Sequence, residues 1–209
     1  MDRRRFLIST ASVGAAVLSP METWAGLSCG QTLVPGLGPR VLCTAGINSS
    51  VSMIFAAYQT QSEWCWAASM SMIFRYYNHP VAQERIVKET WGQLVNMPGR
   101  VDQILSDLNR TWTDDNDEDF TSVGDAYSAN PVTAAQDLAG DDPLLICSLG
   151  HAMVLTALTY IQDPFAPGGA SVTQAIVRDP WPANGGKRAL SVQEWANVSL
   201  LARVRVEDA

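Results

Sequence analysis

The sequence predicts an α+β fold, with helices in the first half of the chain and antiparallel strands in the second. Residues 66–77 place Trp66, Met70, Ile73, Phe74 and Tyr77 at helical spacing, which makes one apolar stripe. From Leu144 onward the chain changes to apolar and β-branched runs, Leu144–Leu149, Ala152–Ile161 and Ser171–Arg178, separated by turn residues. Elements segregated in this way imply α+β rather than an alternating parallel architecture. The 209 residues, 47% hydrophobic and 17% charged, suffice for one domain with its own core.

The N-terminus reads as an address. Arg3-Arg4-Arg5-Phe6-Leu7 resembles a bacterial twin-arginine export signal, followed by an apolar run too short to span a bilayer. Thr23-Trp24-Ala25 offers small residues for cleavage after Ala25, with an uncleaved anchor as the alternative. Residues 1–25 are therefore a leader, 26–48 a Gly/Pro-rich segment and 49–209 the functional domain, exported to the periplasm or medium. Export implies an oxidising compartment, where Cys29 and Cys43 could close a loop around the Gly30–Leu42 stretch.

In the middle of the chain, Ser52–Ala56 reads as a short strand. Ser62 and Glu63 supply an N-cap and a first-turn acid for the helix that begins at Cys65. Asn78-His79-Pro80 stops that helix. A second helix lies within Val81–Thr90, a third within Arg100–Asn109 and a short one over Val132–Leu138. The acidic run 113–119 lacks the Gly and closing Glu of a calcium loop and reads as a solvated surface loop. Residues 162–169 form the clearest turn, and Leu200–Val206 is the last strand expected.

Composition excludes several functions. A formal charge of −7 disfavours nucleic-acid and anionic-membrane partners. Four cysteines without a Cys-x-x-Cys pair, and two histidines, exclude a structural zinc site. No metal and no organic cofactor is expected. Cys147 reads as a buried filler.

Cys65 is the candidate nucleophile, because the first turn of a helix favours the thiolate through its free N–H groups and peptide dipoles. A thiolate needs a base, and the base needs an orienting group. His79 lies 14 positions along the same helix, ~21 Å away, and reads as a turn residue. This leaves His151, which opens the strand after Gly150. If 152–161 and 171–178 pair as a hairpin centred on Phe165, position 151 faces 179, and Asp179 occupies it. Asp163, at the turn, would be ~33 Å away.

This combination resembles the papain-like cysteine peptidases. It is most similar to small bacterial papain-fold enzymes, the group of effector cysteine proteases and bacteriocin-leader-processing peptidases. The resemblance spans roughly residues 50–195 and rests on the stretch from Gln59 to Ala68, on Gly150-His151-Ala152 and on Arg178-Asp179-Pro180-Trp181. The helix pair around Tyr76-Tyr77-Asn78 and Gln83–Val87 adds to it. It implies a two-lobed papain-like fold, with a helical lobe carrying Cys65 and a small antiparallel sheet lobe carrying His151 and Asp179. It further implies Cys65 as nucleophile, His151 as general base and acid, and Asp179 as orienter. An oxyanion-hole glutamine is implied at Gln59, or alternatively Gln61. Asp in place of Asn, and the Trp64-Cys65-Trp66 context, depart from papain itself. Trp181 is implied to shield the His–Asp contact.

The expected function is exported peptide-bond hydrolysis through an acyl-enzyme. Acyl transfer on the same fold and a non-catalytic binding module are the rivals. Expected partners are a peptide or protein substrate, no nucleic acid, and no membrane once the leader is removed; the chain is expected to be a monomer. Substrate-binding residues cannot be read from the sequence.

Overall fold

A computed structural model describes residues 26–48, 57–165, 169–184 and 186–208. A hairpin, β1 (Gly26–Val34) and β2 (Gly38–Gly46), precedes three helices: α1 (Cys65–Tyr76), α2 (Gln83–Trp91) and α3 (Val101–Asp107). Strands β3 (Arg110–Thr113) and β4 (Asp119–Tyr127) lead to helix α4 (Pro131–Ala139). Strands β5 (Leu144–Ser148), β6 (His151–Gln162) and β7 (Ala170–Arg178) follow. A 3₁₀ turn (Pro182–Asn184), β8 (Lys187–Ala189), helix α5 (Val192–Ala196) and β9 (Val198–Asp208) complete the chain. The expected leader at 1–25 and strand at 52–56 lie outside the described residues, as does part of the 162–169 turn.

The strands form one antiparallel sheet, β1-β2-β6-β5-β9-β4-β3, with β7 on the other side of β6 and β8 beyond it. Along one edge, β6 pairs first with β5 (residues 151–155) and then with β2 (157–162). At nine strands the sheet is larger than the small one expected. The 26–48 segment joins it through β2, and β3 and β4 extend the far edge. Those last two strands escaped the sequence reading because the inward positions of β4 after Phe120 are Ser122 and Gly124, too small and polar to show an apolar alternation.

Both faces of the central strands are buried, which explains why they read as continuous apolar runs. Leu145, Cys147, Ala152, Val154, Leu200 and Ala202 face the helices α1–α3. The alternating set Leu144, Ile146, Met153, Leu155 and Leu201 faces α4. Every residue of α1 from Cys65 to Phe74 is buried. Phe74 anchors this layer, tilted against Trp112 (5.6 Å between centroids) and edge-on to Phe120 (5.1 Å).

Two expectations are corrected at the ends of α1. Ser62 does not cap the helix: Trp64 occupies the N-cap, with no side-chain cap bond, while Ser62 Oγ accepts from Asn96 Nδ2 (2.9 Å). His79 is not a plain turn residue. It is buried, stacked on Phe120, with its ring nitrogens on Asp114 Oδ2 (3.3 Å) and Asp208 Oδ1 (3.0 Å). The acidic run is correspondingly not wholly solvated. Asp114 is fully buried, and its Oδ1 accepts from the N–H groups of Asn116 and Glu118.

Candidate active site

Three segments converge where α1 begins. The first is the loop 59–64 with Cys65 at the first helical position. With no side-chain cap, the N–H groups of that turn have no intrahelical acceptor. The two tryptophans flanking Cys65 pin the segment after α2: Trp64 Nε1 donates to Val95 O (2.8 Å) and Trp66 Nε1 to Met97 O (3.2 Å). Gly99 packs so closely on the Trp66 ring that a Cβ there would sit 2.6 Å from it. The Trp-Cys-Trp pattern thus fixes both the helix start and the loop over it.

The second segment is the β5–β6 turn. Ser148 pairs with His151 across Leu149 and Gly150, whose φ values are 51° and 79°. A two-residue hairpin with both φ positive has the twist of a primed turn, which matches that of the strands. It sets His151 at the very start of β6.

The third is the loop after β7. The observed β6–β7 register pairs Val154 with Arg178, a partner two residues beyond the one that the sequence predicts, and β-bulges interrupt it. Position 151 is therefore not directly opposite 179. An even offset keeps the same face, and diagonal neighbours on one face remain within side-chain reach. His151 Nε2 donates to Asp179 Oδ1 at 2.7 Å. Because a carboxylate only accepts, Nε2 carries a proton, and Nδ1 is the nitrogen left for the neighbouring Cys65. Cys65 and His151 line a shared pocket of about 110 Å³, with Cys147 on its wall.

The electrostatics follow from these contacts. Burial pulls the His151 imidazole down, but the hydrogen bond to Asp179 and the neighbouring Cys65 outweigh it, and its pKa is pushed up to about 9. Burial would raise the Asp179 carboxyl, yet four donors hold it well below the usual carboxylate range. These are His151, the Trp181 N–H (2.8 Å), Asn184 Nδ2 (2.7 Å) and Arg188 Nε (2.6 Å). Burial and the neighbouring Cys65 push the Cys147 thiol up to about 12.

The glutamines sit on the other side. Gln59 is buried, its N–H donates to Pro180 O (2.8 Å), and its Nε2 donates to the carbonyls of Gln61 (2.9 Å) and Ser62 (2.8 Å). Its Oε1 is buried without a partner. Gln61 is exposed. Both line a groove of about 470 Å³ bounded across by Trp181, which is 40% exposed. The remaining pair of candidates, Cys29 and Cys43, face each other across β1–β2 and are joined as a disulfide far from this site along the sheet. Among the described residues, one group, His79, Asp114 and Glu118, could bring metal-ligand atoms within 4.8 Å of one another. The hydrogen bonds of His79 and Asp114 already account for it.

Residues 53–200 match the sequence model of the Peptidase_C39 like family. The chain belongs to that family. Its function is accordingly of cysteine-peptidase type, on an α+β fold with the cysteine helix laid against an antiparallel sheet. No curated protein matches the sequence. Among solved structures, UfSP from C. elegans aligns with a TM-score of 0.44 at 12% identity, over 92% of this chain and 36% of that one. The chain thus spans about a third of that protein's length.

Sequence reasoning missed Arg188, Glu194 and Asn184, which support Asp179. One signal was available: Ser191-x-x-Glu194 is a capping-box pattern, and it caps α5.

Proposed function

We propose that this member of the family is an exported peptidase that cleaves peptide bonds through Cys65, His151 and Asp179. The observation that carries the reading is His151, hydrogen-bonded to Asp179 on one side and lining one pocket with Cys65 on the other. Cys65, as thiolate against imidazolium, attacks the scissile carbonyl. His151 then gives its proton to the leaving amine, and later takes one from the water that releases the acyl-enzyme. Asp179 holds the ring in the orientation both transfers need.

The oxyanion is stabilised by the Cys65 backbone N–H and the amide of Gln59, which turns one N–H from a loop carbonyl to the oxyanion as it forms. Gln61, exposed in the same groove, is the alternative donor. The groove beside Trp181 and the pocket beside Cys147 flank the nucleophile and accommodate substrate on either side. Residues 1–25 are proposed to direct export and to be removed after Ala25, with the mature chain acting as a monomer.

The test is a peptide library digested by the mature chain and by Cys65→Ala. Hydrolysis is expected from the former alone, with both melting at the same temperature within a few degrees, since alanine suits a buried helix position. Turnover surviving in Cys65→Ala defeats the proposal. In the same assay Gln59→Ala is expected to lose about 10²-fold in kcat; the same loss in Gln61→Ala instead moves the role there.

A further inference from the structure

We propose that Arg188 is a positioning residue, a guanidinium clamp that fixes the Asp179 carboxylate on His151 and is itself held and neutralised by Glu194. The proposal deepens the peptidase reading and rests on it for its functional meaning.

The geometry is specific to a fork-shaped cation. Arg188 Nε donates to Asp179 Oδ2 (2.6 Å), while Nη1 and Nη2 donate to Glu194 Oε2 (3.1 Å) and Oε1 (2.6 Å). A guanidinium satisfies two carboxylates in one plane; a lysine ammonium does not. The other Asp179 oxygen, Oδ1, accepts from both His151 Nε2 and the Trp181 N–H. Glu194 is anchored in turn. Its Oε2 accepts from the Ser191 N–H (2.7 Å), and its own carbonyl accepts from Ser148 Oγ (2.6 Å), on the residue paired with His151. The chain of contacts therefore runs from the α5 cap through Glu194, Arg188 and Asp179 to His151, and α5 is tied back to the strand end that carries the histidine.

Charges alternate along this line. The groups facing His151 are Cys65 from α1, Cys147 from β5 through Cys65, and Asp179. Those facing Arg188 are Asp179, Glu194 and the Met153 sulfur (3.2 Å). Glu194 offsets the guanidinium charge, so Asp179 keeps its pull on the imidazolium. Burial of the Asp179 side chain, 0% exposed against 23% for Arg188 and 19% for Glu194, leaves little water to screen this arrangement.

The test uses the two variants on opposite sides of the charge balance. With only two histidines in the chain, the ring resonances of His151 can be titrated by NMR without any substrate. The Trp181 N–H and Asn184 still hold the Asp179 carboxylate in Arg188→Gln, so the first effect there is loss of a cation behind it, and the His151 midpoint should rise by about half a unit. Glu194→Gln leaves the guanidinium uncompensated, so the midpoint should fall by a similar amount. The double variant should return close to the wild-type value. In peptide hydrolysis, Arg188→Gln should lower kcat about tenfold with KM unchanged.

Midpoints that stay put, or that move in the same direction in both single variants, overturn the clamp even where melting temperatures drop, since a purely structural contact moves only the latter. If Arg188→Gln does not fold, the fall in Glu194→Gln decides alone. Opposite shifts in a chain that hydrolyses no peptide retain the clamp and defeat the peptidase reading instead.

Discussion

At the scale of single residues, His151 is the group on which the site turns. Its imidazolium is favoured by Asp179 and Cys65 against the cost of burial, so its pKa stands near 9, above the ordinary 6.5. A raised pKa means the folded state binds the proton more tightly. The resulting stabilisation is complete below pH 6.5 and is lost as pH rises from there through about 9. The depressed Asp179 carboxyl works at the other end, where its stabilisation is present above the unfolded carboxylate value and lost in strong acid. Asp179→Asn is therefore expected to bring the His151 midpoint down from about 9 to near or below the ordinary value, because the amide keeps no charge and burial then dominates. An NMR titration reads this directly. The melting temperature of the wild type should fall between pH 6.5 and 9 more steeply than that of the variant. An unchanged midpoint would remove Asp179 from the role of orienter.

At the scale of elements, the site depends on short connections under constraint. Leu149 carries a bulky side chain at φ 51° and is 64% exposed, so it bears the steric cost of the left-handed region while burying little. Asn followed by Gly suits this turn far better. Leu149→Asn should raise unfolding free energy by about 1 kcal/mol in denaturant melts; a loss of stability would show that Leu149 is held by packing instead. The β1–β2 hairpin depends on a different device. Strand β1 has β2 as its neighbour and is exposed along most of its length, so the Cys29–Cys43 link holds what little packing can. Replacing both cysteines by serine should cost about 3 kcal/mol, the loop-closure entropy of a loop this size. Because β2 is hydrogen-bonded to β6, the loss should register in the global transition rather than as separate fraying.

At the scale of the whole molecule, the layer between the helices and the sheet holds two thiols that are nearly equally buried, Cys65 at 9% exposure and Cys147 at 8%. Exposure does not distinguish them, but their surroundings do. Cys65 sits at an uncapped helix start beside an imidazolium, whereas Cys147 lies within a sheet strand, where burial keeps it protonated to about pH 12. Iodoacetamide at pH 6 should therefore label Cys65 at least tenfold faster, as peptide mapping after brief exposure would measure. Equal rates would mean that no ion pair forms at Cys65. Burial of both sheet faces also places His79 and Asp114 in the helical layer, where they join the end of α1 to the β3–β4 turn and the end of β9.

Some of this was written locally. The α1 stripe, the apolar runs of β5 and β6, and a cysteine at a helix start are short-range patterns, so the sequence determined the fold class and brought Cys65, His151 and Asp179 forward as candidates. The parity of a strand was legible too: the face on which Asp179 lies survived a register slipped by two. Other features depended on contacts between segments far apart in the chain. These include β3 and β4, the Trp64 and Trp66 bonds to the 95–97 segment, the burial of Asp114, and the Arg188–Glu194 support behind Asp179. Hydrophobic periodicity records which side of an element meets a core, and turn residues record where an element ends. Neither records which distant polar group will arrive to satisfy a buried charge, and that choice was made only when the sheet closed and brought the partners together.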